Sequence, residues 1–204
     1  MTLLTVLLLA GAVILTRVSS LRTAVGILGF QSVIVALACL IIGLNTGEFH
    51  MYIAAVLTAV IKVGLIVYSL WKVTLQLKNE REIANFNFSF LLAILAIIAS
   101  YGFVSKALPQ VPGETLGAAI ALTVIGLLMI IARSQAIMQV VGLITMENGL
   151  YLLGLSITKG LPLIIEMGIF FDILVAVVVL VILTHRLKYS FETTDTSILN
   201  ELKG

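Results

Sequence analysis

Seven apolar runs fill most of this chain, and the breaks between them are short. They lie at 2–19, 23–44, 51–73, 86–106, 114–132, 134–157 and 161–185. Crossing a bilayer core as a helix takes about 20 mostly apolar residues, so each run is a candidate span, the first a marginal one. In lipid, backbone polar groups must be satisfied inside the segment, which makes long continuous apolar runs helical. The breaks hold helix-ending residues. Asn45 to His50 contains Gly47 and Glu48; Lys106 to Glu114 holds Pro109, Pro112 and Gly113. Thr158-Lys159-Gly160 precedes Pro162, and proline in a first helical turn gives up no hydrogen bond. The expected fold is all-α, a polytopic membrane helix bundle of about seven transmembrane helices. Loss of the first run would leave six, with the same C-terminal side.

Little of the chain remains for anything outside the bilayer. Of 204 residues, 61% are hydrophobic and 11% charged, against about 25% charged in soluble domains; the mean hydropathy is +1.21. No basic cluster or aromatic platform is present to bind nucleic acid. The lone Cys39 excludes a disulfide within the chain and an iron–sulfur cluster held by it alone. His50 and His185 are isolated near run ends, so no metal set and no catalytic constellation is expected, and no cofactor in this chain. The N-terminus lacks the basic segment of a cleavable signal, so the first run is read as a retained helix.

Charge orients the bundle. Arg17, Arg22, Lys72, Lys78, Arg81, Arg133, Arg186, Lys188 and Lys203 fall in one set of breaks, and Lys106 and Lys159 in the other. Basic residues mark the cytoplasmic side, which places the N-terminus outside and the tail from about Ser190 in the cytoplasm. Arg133 reads as a topology anchor at the cytoplasmic mouth of the sixth span.

Ionisable groups also sit where they are expensive. Glu147 lies near the middle of the sixth run, Lys62 of the third and Asp172 of the seventh, with Glu166 about two turns above Asp172. A charge at the centre of a spanning helix costs roughly 2.5–3.5 kcal/mol on insertion scales, so it is paired, neutralised or facing a polar cavity. Glu147 and Lys62 pair if their spans pack together. The set then reads as a lateral polar layer that moves protons or ions, with a static salt bridge as the plainer alternative. Glu166 has its own plain alternative, snorkelling to the outer interface or capping the helix after Pro162. Gln31, Asn148, Thr145, Thr58 and Ser100 either line a water path or tie neighbouring helices. Glycines 26, 29, 142, 149, 154 and 168 are expected at close helix contacts.

Residues Val25 to Ser32 align without gaps on Val141 to Asn148, at an offset of 116 that places Gln31 over Glu147. Each stretch follows a short turn containing arginine. The first three spans and the last three would then be parallel copies, joined by the fourth.

At these residues the chain resembles the hydrogenase-4 component E family. The resemblance rests on Gly142-Leu143-Ile144-Thr145-Met146-Glu147-Asn148-Gly149 and on Glu166-Met167-Gly168-Ile169-Phe170-Phe171-Asp172, with Ile61-Lys62-Val63, Gln31-Ser32 and Leu202-Lys203-Gly204. It covers most of the chain and is strongest over 133–186. The last three spans are similar to the K subunit of respiratory complex I and the C subunit of Mrp-type antiporters. The resemblance divides the chain into an N-terminal three-helix unit (1–80), a connecting helix (81–112), a K-subunit-like unit (113–189) and a cytoplasmic tail (190–204). It implies a non-catalytic membrane subunit of an energy-converting nickel–iron hydrogenase or formate hydrogenlyase-type oxidoreductase complex in the bacterial inner membrane. Partners would be antiporter-like and other membrane subunits, with nickel–iron and iron–sulfur subunits reached indirectly. Glu147, Asp172, Lys62 and Glu166 would form the proton-conducting set, supported by Gln31 and Asn148. Two departures stand out: the K subunit carries its second-helix acid about one turn earlier, near Ile144, and Asp172 replaces a glutamate. An Mrp-type antiporter subunit and a pure scaffold are the competing readings.

Overall fold

A computed structural model describes residues 2–76, 86–107 and 113–158, together with 177 and 181. Their regular structure is helical: α1 (Thr2–Arg17), α2 (Leu21–Thr46), α3 (Phe49–Leu57), a π-helical segment (Thr58–Val67), α4 (Tyr68–Gln76), α5 (Phe86–Ala107), α6 (Gly113–Ala132) and α7 (Ala136–Thr158). Five stretches are long and apolar enough to cross a membrane: Leu21–Thr46, Met51–Leu75, Asn87–Ala107, Gly113–Ala132 and Ala136–Gly154. The protein is therefore a membrane protein by the length and composition of its helices. The seventh expected run lies outside the described residues except for Val177 and Val181, which pack against the core. The marginal first run is a helix of 16 residues, about 24 Å long at 1.5 Å per residue, short of a core about 30 Å thick.

Each boundary has a local cause. Gly47 ends α2 at φ 73°, a left-handed position where its missing Cβ removes the penalty, and its N–H returns to the Gly43 carbonyl. The turn at 18–20 joins α1 to α2 as antiparallel neighbours. The third span is one continuous helix whose middle ten residues widen to i→i+5 bonding. Such π turns carry one extra residue each and re-aim the side chains beyond them.

The tightest contact is between α6 and α7, and glycine creates it. A Cβ on Gly126 would lie 2.3 Å from the Met146 nitrogen, and one on Gly149 2.5 Å from the Thr123 nitrogen. A Cβ on Gly142 would lie 2.9 Å from the Met129 Cβ. Without a hydrophobic drive between helices in lipid, such backbone contact is what lets dispersion forces hold a pair together. Gly117 does the same for α5, whose Tyr101 ring sits 2.9 Å from the place of its missing Cβ.

Two helix pairs run in the same direction. At one end Thr2 of α1 hydrogen-bonds Glu114 of α6 across 3.4 Å; at the other, Arg133 just beyond α6 reaches the Leu15 and Thr16 carbonyls of α1. So α1 and α6 are parallel. Thr145 bonds Gln31, and further along both helices Cys39 bonds Tyr151, so α2 and α7 are parallel too. This is the direction that the 116-residue offset requires.

Candidate functional site: a buried polar layer

Along α7, Gly142 and Gly149 are seven residues apart and share the face turned to α6. Glu147 and Tyr151, one turn apart from each other, fall on the opposite face. There they meet Lys62, carried by the π segment, which packs its backbone against α2 and sends its long side chain to α7. Lys62 Nζ lies 2.5 Å from Glu147 Oε2, with the two side chains 0% and 1% exposed. It donates a second bond to Asn148 Oδ1 at 2.9 Å. The Tyr151 ring centroid stands 6.0 Å from the same ammonium, at the edge of cation–π range. Among the described residues, Glu147 Oε1 has no hydrogen-bond partner.

A second chain of bonds extends the layer toward α1. The Gln31 amide donates to the Leu8 carbonyl at 3.2 Å and its oxygen accepts from Thr145 at 3.3 Å. The Thr145 hydroxyl is also within 2.8 Å of the Val141 carbonyl. Cys39 Sγ is 3.0 Å from the Tyr151 hydroxyl. Gln31, Ser32, Thr58, Lys62, Thr145, Glu147 and Asn148 are all buried. The expected pairing of Lys62 with Glu147 is therefore present, and Asn148 is a direct partner of the lysine. Asp172 and Glu166 lie outside the described residues.

Chemically, this is an acid and a base held in contact out of water, beside the Asn148 amide and the Tyr151 ring. Removing one member of such a pair strands the other, which costs about 3–5 kcal/mol. Among the described residues, no three His, Cys, Asp or Glu side chains come together as a metal site would require.

Arg133, read as a topology anchor, is 2% exposed, and its Nη2 donates to the Leu15 and Thr16 carbonyls at 2.9 and 2.7 Å. A guanidinium fits here because the last carbonyls of a helix lack i+4 partners and carry negative partial charge. One expectation needs correction: Gly26 is not at a helix contact, and nothing lies within 4 Å of where its Cβ would be. Tyr151 and Cys39 were missed by sequence reasoning, although Tyr151 stands one helical turn from Glu147. The π segment had no signal, since its Ile, Val, Leu and Ala residues serve either helix form.

Comparison with known proteins agrees with the resemblance seen in the sequence. Hydrogenase-4 component E of Escherichia coli K12 is 28% identical, with 96% of each chain covered. The same protein from Shigella flexneri gives the same values. An uncharacterized protein of Mycobacterium tuberculosis is 27% identical over 97% of this chain and 92% of its own. No family model matches the chain. No solved structure matches it. The homologues support the hydrogenase-4 component E family for this chain.

Proposed function

From that family relationship we infer that this protein is a non-catalytic membrane subunit of a hydrogenase complex, and that its buried polar layer conducts protons. The observation that carries the reading is the Lys62–Glu147 contact, buried at mid-helix on two different spans. A scaffold has cheaper ways to join two helices, such as the glycine contact already made by α6 and α7. An ion pair in this position is most useful if its proton distribution can change with a neighbouring charge. Glu147 Oε1 would be the exit toward the next carrier, with Asp172 and Glu166 of the last run continuing the layer. The lysine rides on a π segment, a form of helix frequent at functional sites.

The distribution of basic residues supports an outer N-terminus and a cytoplasmic tail. The bacterial relatives support the cytoplasmic membrane as the location. The partners would be other membrane subunits of the complex, antiporter-like ones beside the polar layer, with redox chemistry in cytoplasmic nickel–iron and iron–sulfur subunits. The last three spans would serve as the unit that resembles the complex I K subunit and the Mrp C subunit.

The test is Glu147→Gln in the intact complex, which keeps shape and removes the titrating group. Assembly on native gels is expected to persist while proton uptake into inverted vesicles, driven by the complex's redox reaction, falls by at least about tenfold, the range of general acid–base effects being 10²–10⁴. Unchanged proton uptake would rule out conduction through Glu147. Loss of assembly with normal coupling in the residual complex would leave the pair a scaffold.

A further inference from the structure

We propose that the groove between α1 and α2 is a binding site for one anionic phospholipid, with the phosphate at Arg22 and an acyl chain lying over Gly26. The groove has a volume of about 560 Å³, within the range of sites that hold small molecules. Ala10 and Ile14 of α1 form one wall and Gly26 and Phe30 of α2 the other, with Arg22 and Trp71 at one end. Its polarity is graded along its length as a lipid's is. The exposed Arg22 stands in the first turn of α2, where free backbone N–H groups add to the attraction for an anion. Trp71 is 42% exposed at the same end, where an indole suits the headgroup level. Of the other lining residues only Thr23, next to Arg22, is polar.

Gly26 is the second observation. A glycine in a helix interior costs roughly 0.5–1 kcal/mol relative to alanine, and tight packing normally explains it. Here no atom lies within 4 Å of the absent Cβ. What the missing side chain leaves open is the groove itself. At the repeat-related position Gly142, the same residue is sealed against α6. So α1 and α2 stand apart where α6 and α7 touch.

The dimensions select a lipid chain over a partner helix. From Arg22 to Phe30 the groove runs about 12 Å at 1.5 Å per residue, and it stops near mid-depth. A spanning helix is 10–12 Å across and would need a track over the whole core of about 30 Å. At the inner end lies Gly11, behind which Gln31 joins the polar layer; a Cβ there would be 3.2 Å from Gln31 Nε2.

The experiment uses the full chain reconstituted in vesicles of equimolar phosphatidylglycerol and phosphatidylcholine, released in mild detergent and weighed by native mass spectrometry. Wild type is expected to retain phosphatidylglycerol preferentially. Arg22→Gln should lower that preference about fivefold, the value of one basic residue at an anionic surface. Gly26→Leu should remove one bound lipid of either kind. Gly102→Leu, also at a glycine with open space around it, should change nothing. The proposal is overturned if Arg22→Gln keeps the wild-type preference, a result that stands even if Gly26→Leu does not fold. It is also overturned if a folded Gly26→Leu retains every lipid that the wild type holds.

Discussion

The pairs α1–α2 and α6–α7 are related by the 116-residue offset and run in matching directions, yet they are built to different tolerances. In α6–α7, Gly142 brings two backbones together; in α1–α2, Gly26 at the matching position faces open space. Arg133 is buried on the carbonyl end of α1, whereas its counterpart Arg17 is exposed, bonded to Asn87 at 3.5 Å and stacked 5.2 Å from the Phe90 ring centroid. Glu147 is ion-paired and Gln31 only hydrogen-bonded. The lesson is that one pair is closed around a buried charge while the other is looser and carries a neutral amide at the matching position. A closed pair fixes the acid's position, and a loose pair leaves room for something else to fit.

The matched positions give a graded set of tests by thermal unfolding of the purified chain in detergent. The largest gap is expected between Glu147→Ala and Gln31→Ala. The first strands the Lys62 charge and should cost about 3–5 kcal/mol; the second removes neutral bonds and should cost about 1–3 kcal/mol. Adding Lys62→Met to Glu147→Ala should recover most of the loss, and a purely additive double variant would mean that the two groups do not interact. Next come the glycines. Gly142→Leu forces α7 off α6 and should cost about 3 kcal/mol, the upper part of the usual overpacking range, while Gly26→Leu should unfold near wild type. Equal melting shifts would erase the distinction between a closed and an open pair. Arg133→Gln should follow at about 2 kcal/mol, for charge-assisted bonds to buried carbonyls; Arg17→Gln should stay below about 1 kcal/mol, as exposed contacts do. Smallest is Gly26→Ala, expected to raise stability by about 0.5–1 kcal/mol through helix propensity alone, with Gly142→Ala moving the other way.

Much of this could be read from residues before any coordinates. Run length gave the helices, because lipid leaves the backbone no other partner. Cost allowed the Lys62–Glu147 contact as one outcome, since a charge at that depth is paired, neutralised or turned to a polar cavity; the packing of the two spans decided for the pair. Gly26 and Gly142 could not be told apart, because both are glycines in the same local sequence and only the distance to the neighbouring helix separates them. Arg133 looked like any basic residue at a span end; its burial depends on where α1 stops, which is a matter of tertiary packing. The π segment left no trace because hydrogen-bond register is a backbone property that apolar side chains do not encode.

Arg133 also bears on how the chain is made. Its carbonyl partners on α1 lie 118 and 117 residues earlier. While the intervening helices are being synthesised, the end of a helix already too short for the bilayer has no guanidinium to complete it. Helix α1 is thus completed only after α6 has entered the membrane.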